Sequence, residues 1–468
     1  MSEPTSVAPR PILGSRARLD LRVLSGDDVA RIHAAALGLL GAGGGAAEAA
    51  ARSAPAACVL AGRVPEHDAA LGAGHVWLAA GAATAGAAGV PDRVRRPGGG
   101  DPVPATAADL DEAVRLADAL PEIALLAGPP VRAAGVPVAA ALARCVAGSS
   151  KHVLAGLLTS AADAESIVEL ATALAGSAGE ARRRPPLSLC GGADTLDAAL
   201  VFARAGLPVG IVLPPADAAA GIPPSPSSPS APAETAPSAH VDLGRALVRH
   251  HAGVLSGCAA VQAAAPGAPF FYVADPQAAG LLAAGPQAAL FQLATAQLAA
   301  HVGLPLVAGG FRTTSHEPDW QACQQDALVS MTTTASGAAV TGGAGMLGAA
   351  TAFSPQQLVM DTEIFSWSAF IAGGIEVDDE NVAFDVIRQV GIGGNYLGQR
   401  HTRRHMKEVW RPRLLDRSMW DAWIAAGREG AYEKATALAG QLLTEHTPVP
   451  LSAAARGVIE RIVAGPGL

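Results

Sequence analysis

Residues 149–176 read SSKHVLAGLLTSAADAESIVELATALAG. His152–Leu157 is a short apolar run, Ser160 stands where a helix needs a cap, and Ala161–Leu174 carries apolar residues at helical spacing. That is one strand followed by one helix. The same alternation extends on both sides. Candidate strands lie at Ile123–Ala127, Leu187–Cys190, Val209–Leu213, Phe270–Val273, Leu304–Ala308 and Ala338–Thr341, with helical patterns such as Pro286–His301 between them. Strands joined by helical crossovers run parallel, with the helices outside the sheet. Their spacing and the chain length favour a closed (β/α)8 TIM barrel over an open sheet. An eighth strand is expected near Gly391–Leu397.

The domain plan follows from the strands. Residues 1–120 are expected to form an N-terminal helical extension, with capped helices at Ser25–Leu40 and Thr106–Leu120. The barrel should occupy 121–400, and 401–468 should be a C-terminal helical segment packing on it. Gly221–His240 (GIPPSPSSPSAPAETAPSAH) is rich in Pro, Ser and Ala and reads as an exposed, flexible insertion.

Composition narrows the function classes. The chain has 468 residues, a net charge of −8, 16% charged and 4% aromatic residues. An acidic balance argues against a general nucleic-acid binder. The most apolar stretch, Val76–Val90, is short and mostly Ala and Gly, too weak to span a bilayer. No signal peptide is evident, and five scattered cysteines (58, 145, 190, 258, 323) form neither a disulfide framework nor a zinc signature. A cytoplasmic protein that touches no membrane is expected.

The densest chemistry lies in the C-terminal half. Gly343-x-Gly345-x-x-Gly348 has dinucleotide-loop spacing, and Glu363 follows at about the distance of a ribose contact. Glu363 sits inside a helix capped by Ser354-Pro355, however, where that fold needs the end of a second strand. The glycines therefore read as a tight barrel loop. A nucleotide-dependent oxidoreductase stands or falls on this loop. His401, His405 and Glu408 share a helix side, but Thr402 occupies the position where a zincin has Glu, and Arg400, Arg403, Arg404 and Lys407 would repel a cation. No bound metal is expected.

GAGML (343–347), SPQQLVMDTEI (354–364), GGIEVDDE (373–380), and HT (401–402) ahead of WRPRLLDR (410–417) form an ordered series. The series resembles the C-terminal half of the trimethylamine methyltransferase family. Asp319-Trp320-Gln321-Ala322 resembles the family's D-x-Q-A segment, and His316 stands near the position where some relatives carry pyrrolysine, which this chain lacks. Ser149–Val153 resembles a Thr-Lys-Pro step into a strand, which would let Lys151 line the mouth. The resemblance implies the same barrel. It also implies methyl transfer from a small methylated amine to the cobalt of a corrinoid (cobalamin) carried by a partner protein, the chemistry that feeds methanogenesis.

Without pyrrolysine, a quaternary amine such as a betaine is the better match, because its nitrogen already leaves as a neutral amine. The expected catalytic set is His316, Gln321, Glu363 and His401. Phe271, Tyr272, Asp319 and Gly345 are expected to bind substrate, the aromatics as a wall of a cation cage and Glu363 as counter-charge. The basic run Arg400–Arg417 should help dock the corrinoid protein beside the mouth, and a homo-oligomer is expected. The competing class is a repurposed barrel that binds a methylated amine or a protein partner without catalysis.

Overall fold

A computed structural model describes residues 10–16, 18–72, 74–82, 90–213, 242–276, 281 and 285–465. Eight parallel strands run in chain order: β1 His75–Ala80, β2 Ile123–Ala127, β3 His152–Ala155, β4 Leu187–Gly191, β5 Val209–Ile211, β6 Tyr272–Ala274, β7 Leu306–Gly309 and β8 Val340–Ala344. Each pairs with its neighbours, and β8 pairs with β1. The ring closes between β5 and β6, where the Val209 amide donates to Pro269 and the Phe271 amide to Val209, both at 3.0 Å. The chain is a (β/α)8 barrel with helical extensions.

The eighth strand is not at 391–397, where positive φ at Gly391 and Gly393 turns the chain. It is β1, the first in sequence, and it lies inside the segment 1–120 assigned above to a helical extension. His75–Ala80 reads HVWLAA. Alanine favours helix, and strand formation here comes from pairing on both sides and burial on both faces. The Pro/Ser-rich segment 221–240 lies outside the described residues.

Helix starts follow their caps. Ser25, Thr106, Ser160 and Ser354 accept from the backbone amide three residues on, opening helices Gly26–Leu39, Ala107–Ala119, Ala161–Ala175 and Pro355–Ala372. Ala431–Glu445 packs on Pro355–Ala372 and Ala107–Ala119, and Ala453–Ala464 packs on Val138–Gly148 and Ala161–Ala175. Among the described residues no single helix is long and apolar enough to cross a membrane.

The barrel is filled and its amino-terminal end is plugged. The hairpin Cys58–Leu60/Ala69–Leu71 lies beneath Trp77, whose Nε1 donates to the Ala70 carbonyl at 2.9 Å. Ile12 packs into the same cluster, and a Cβ at Gly14 would come within 2.5 Å of the Trp77 ring. Higher up, the Phe271 ring occupies the space that Gly210 leaves by having no side chain. Lys151 marks the same amino-terminal end, not the mouth. Its Nζ donates to Ala117 (2.9 Å) and Leu120 (2.6 Å), the last carbonyls of helix Ala107–Ala119, where a cation suits the helix dipole.

Candidate active site

At the carboxyl ends of the strands, where barrels gather their functional groups, two opposite charges are buried together. Asp275 follows β6 and Arg312 lies in the loop after β7; they are 6% and 3% exposed. Their Oδ1 and Nη1 are 3.9 Å apart. Residues 271, 273 and 275 alternate to the inside of the barrel, so Asp275 stands two levels above Phe271. Cys190, at the end of β4, faces the pair. Burial, and next the Asp275 carboxylate, push its thiol up to about 12, against the opposing pull of Arg312.

The loops after β7 and β8 hang from two buried carboxylates behind the rim. Backbone amides of Arg312 and Thr313 donate to Asp326 on helix Trp320–Ala335. The Gly345 amide donates to Asp361 at 2.8 Å from helix Pro355–Ala372. Gln357 sits where a capping box would send its side chain back to Ser354. Its amide instead bridges the two acids, 2.7 Å to Asp361 and 3.3 Å to Asp326. Burial raises both acids, Asp361 to about 8 and Asp326 well above the ordinary carboxyl range. Both shifts run upward, so at neutral pH the pair retains protons that ordinary carboxyls have lost. The loops also hold each other: the Gly348 amide donates to Ser315 (2.7 Å) and the Ala349 amide to Thr313 (2.8 Å).

The residues picked out in the sequence scatter. His316 is exposed on the β7 loop beside Gly348, where a Cβ would lie 2.8 Å from its Nδ1. Gly345 lies on the same rim, with φ +89°. Asp319 caps helix Trp320–Ala335 and accepts from Ser315 Oγ at 2.8 Å, and Gln321 braces Thr314 at 3.0 Å. Phe271 is inside the barrel but sealed below the mouth, 1% exposed. Tyr272 points outward and its hydroxyl meets His251 Nδ1 at 3.0 Å, on the helix packed outside β6.

Glu363 faces away from the mouth. It accepts from the backbone amides of Arg413 (2.9 Å) and Leu414 (3.3 Å), and Arg413 bridges it to Glu122, the residue just before β2. His401 contacts the Glu380 carbonyl (2.8 Å) and the His405 ring, all within residues 380–405. Glu363→Gln is therefore expected to loosen the 410–415 segment, costing about 1–3 kcal/mol of stability. It should leave amine binding unchanged. Chemical denaturation beside ligand titration checks both halves, and weakened amine binding with unaltered stability would restore the counter-charge role.

The sequence reading missed Asp275, Arg312 and Asp326. The first two stood just beyond read strands, and the rule that polar residues at carboxyl strand ends carry function would have found them. Among the described residues no group of three His, Cys, Asp or Glu is placed to hold a metal.

A closed α/β barrel with a carboxylate–guanidinium pair buried at the carboxyl ends of its strands defines the class: a (β/α)8 barrel with its charged groups gathered at that end. The model of the trimethylamine methyltransferase (MTTB) family matches residues 38–209 and 228–464, and the chain belongs to that family. The break, residues 210–227, overlaps the first part of the Pro/Ser-rich segment. The chain is 30% identical over 331 residues to trimethylamine methyltransferase MttB of Desulfitobacterium hafniense, covering 67% of this chain and 62% of that protein. It is 35% identical over 221 residues to the Methanosarcina barkeri MttB, 46% of this chain and 45% of the relative. It is 34% identical over 216 residues to a glycine betaine methyltransferase of D. hafniense, 45% of each. The matched part thus spans less than two thirds of these relatives' length.

Proposed function

We propose that the protein moves a methyl group from a small quaternary amine that also bears a carboxylate, a betaine, to the Co(I) of a corrinoid carried by a partner protein. The observation that carries this reading is Asp275 facing Arg312 at the mouth. A zwitterion matches both charges: its ammonium suits Asp275 and its carboxylate suits the planar fork of Arg312. The family relationship and the named betaine relative support the same reading.

In the transfer the N–CH3 bond breaks with its electron pair going to nitrogen, which leaves as a neutral tertiary amine. The new bond takes its pair from the acceptor, a reduced cobalt centre supplied as co-substrate. No proton needs to move. This chain's task is to hold the cation, aim one methyl outward and exclude water. Asp275 and Arg312 fix the two ends of the substrate, and the rim at His316 and Gly345 shapes the opening. Co(I) persists only under reducing conditions, so we place the reaction in the cytoplasm, in keeping with five free cysteines among the described residues.

The test mixes purified protein, a panel of betaines and trimethylamine with chemically reduced cobalamin, and follows methylcobalamin by absorbance. Transfer from a betaine and not from trimethylamine is expected. No transfer from any quaternary amine, with the native corrinoid protein also supplied, would favour a barrel that binds without catalysis.

A further inference from the structure

Residues 375–427 form an arm whose helices have no core, with Leu414 its one buried residue. Its four helices, Asp379–Val382, Phe384–Val390, Arg400–His405 and Trp420–Ala425, contain no buried residue. Helices of four to seven residues do not persist in water without packing. The arm is also where the apolar surface lies. Of the 26 large apolar side chains exposed among the described residues, sixteen fall between Trp367 and Ile424. Ile375, Ile392, Leu397, Met419 and Trp420 are each more than two-thirds exposed. Beside the arm's root an apolar hollow of about 350 Å³ opens between helices Trp320–Ala335 and Pro355–Ala372, lined by Met331, Ile364, Trp367, Ile371 and Leu414.

We infer that the arms of two copies of this chain pack on one another about a two-fold axis and cover the hollow. Three observations select a second copy. The first is charge. Within the chain Arg404 pairs with Glu380, Arg388 with Asp385 and Arg18 with Glu376. Among the described residues no ion pair engages Asp378 and Asp379 on the acidic half (376–385) or Arg400, Arg403, Lys407 and Arg411 on the basic half (400–411). A two-fold axis can bring the acidic half of one arm against the basic half of the other, as an isologous interface requires. The second is area. Sixteen such side chains amount to on the order of 1,000 Å² per copy, comparable with the roughly 800 Å² per partner of a stable complex, and so apolar a patch suits a permanent partner.

The third is position. Helix Pro355–Ala372 starts at the mouth, where the Ser354 amide donates to Gly345, and ends at Ala372, whose carbonyl accepts from Arg18 beside the strand that pairs with the first residues of β1. The arm leaves from that far end and returns at Arg413, which is bonded to Glu122 ahead of β2. The basic run 400–411 thus belongs to a segment rooted away from the mouth. This inference goes beyond the proposed activity and does not depend on it.

The test is the mass of the full chain by light scattering after size exclusion, at micromolar concentration. A mass of two chains of 46.7 kDa, or an even multiple, is expected. The double variant Ile392→Glu/Leu397→Glu should halve it while circular dichroism still reports the barrel. Arg400→Glu/Arg403→Glu and Asp379→Lys, at positions outside the ion pairs within the arm, should each be monomeric alone and associate when mixed. A wild-type monomer, variants of unchanged mass, or association only when the corrinoid protein is added would each overturn the inference.

Discussion

Arg312→Lys should lower kcat/KM for glycine betaine by roughly 10- to 150-fold, the equivalent of the 1.5–3 kcal/mol that a hydrogen bond to a charged group is worth. The positive charge survives the substitution, so Asp275 keeps an opposite neighbour and the fold keeps its buried pair. What goes is the planar fork that grips both oxygens of a carboxylate at once. The control is choline, which shares the trimethylammonium head and lacks the carboxylate. Its rate should change little, because Asp275 still meets the head group. Methylcobalamin formation with both substrates, in both proteins, gives the comparison. An equal loss for both would remove Arg312 from carboxylate recognition and leave it a structural partner of Asp275.

Asp326→Asn should make the protein more stable at pH 8, by roughly 1–3 kcal/mol, and flatten the alkaline side of its stability profile. The sign follows from the shifts. Both acids of the rim pair have folded-state pKa values raised above 3.8, so the folded chain binds more protons than the unfolded one between about pH 4 and 8. Their contribution is present below pH 4 and is lost as the pH rises through the value of about 8 for Asp361. An asparagine can still donate to Asp361 and accept from the Arg312 and Thr313 amides, without a proton to lose. Below pH 4, where the two acids add no slope, the profile should keep its shape. The acid side is set by buried imidazoles, chiefly His152 and His251, which burial holds down at about 3. Those contribute above pH 6.5 and are lost as the pH falls from there toward 3. Urea unfolding from pH 5 to 9 decides the matter; parallel profiles for the two proteins would mean that the pair holds no extra protons in the folded chain.

Much of the barrel was legible because each helix announces itself. Ser160 and Ser354 cap where a cap was needed, and the apolar runs between capped helices could only be strands. β1 was hidden because alanine carries no strand signal, and its neighbours β8 and β2 lie far along the chain. The site was harder to read for a related reason. In a barrel both faces of a strand are buried, so Phe271 and Tyr272 look alike in sequence although one faces the lumen and the other the helices. Asp361 and Glu363 are two residues apart on one helix, and only the packing around them sends one to the rim and the other to Arg413. Asp275 and Arg312 become neighbours only once β6 and β7 are laid side by side.

Among the described residues the plug beneath Trp77 closes the amino-terminal end of this barrel, which leaves the carboxyl mouth as its doorway. For a methyl transfer of the kind proposed, amine and acceptor must use it in turn, and neither can leave behind the other's back. The amine has to enter first, the acceptor closes over it, and the demethylated product waits until the acceptor departs. Such a scheme is compulsorily ordered. An acceptor that arrives at an empty barrel blocks it, so excess corrinoid protein should inhibit turnover competitively against the amine.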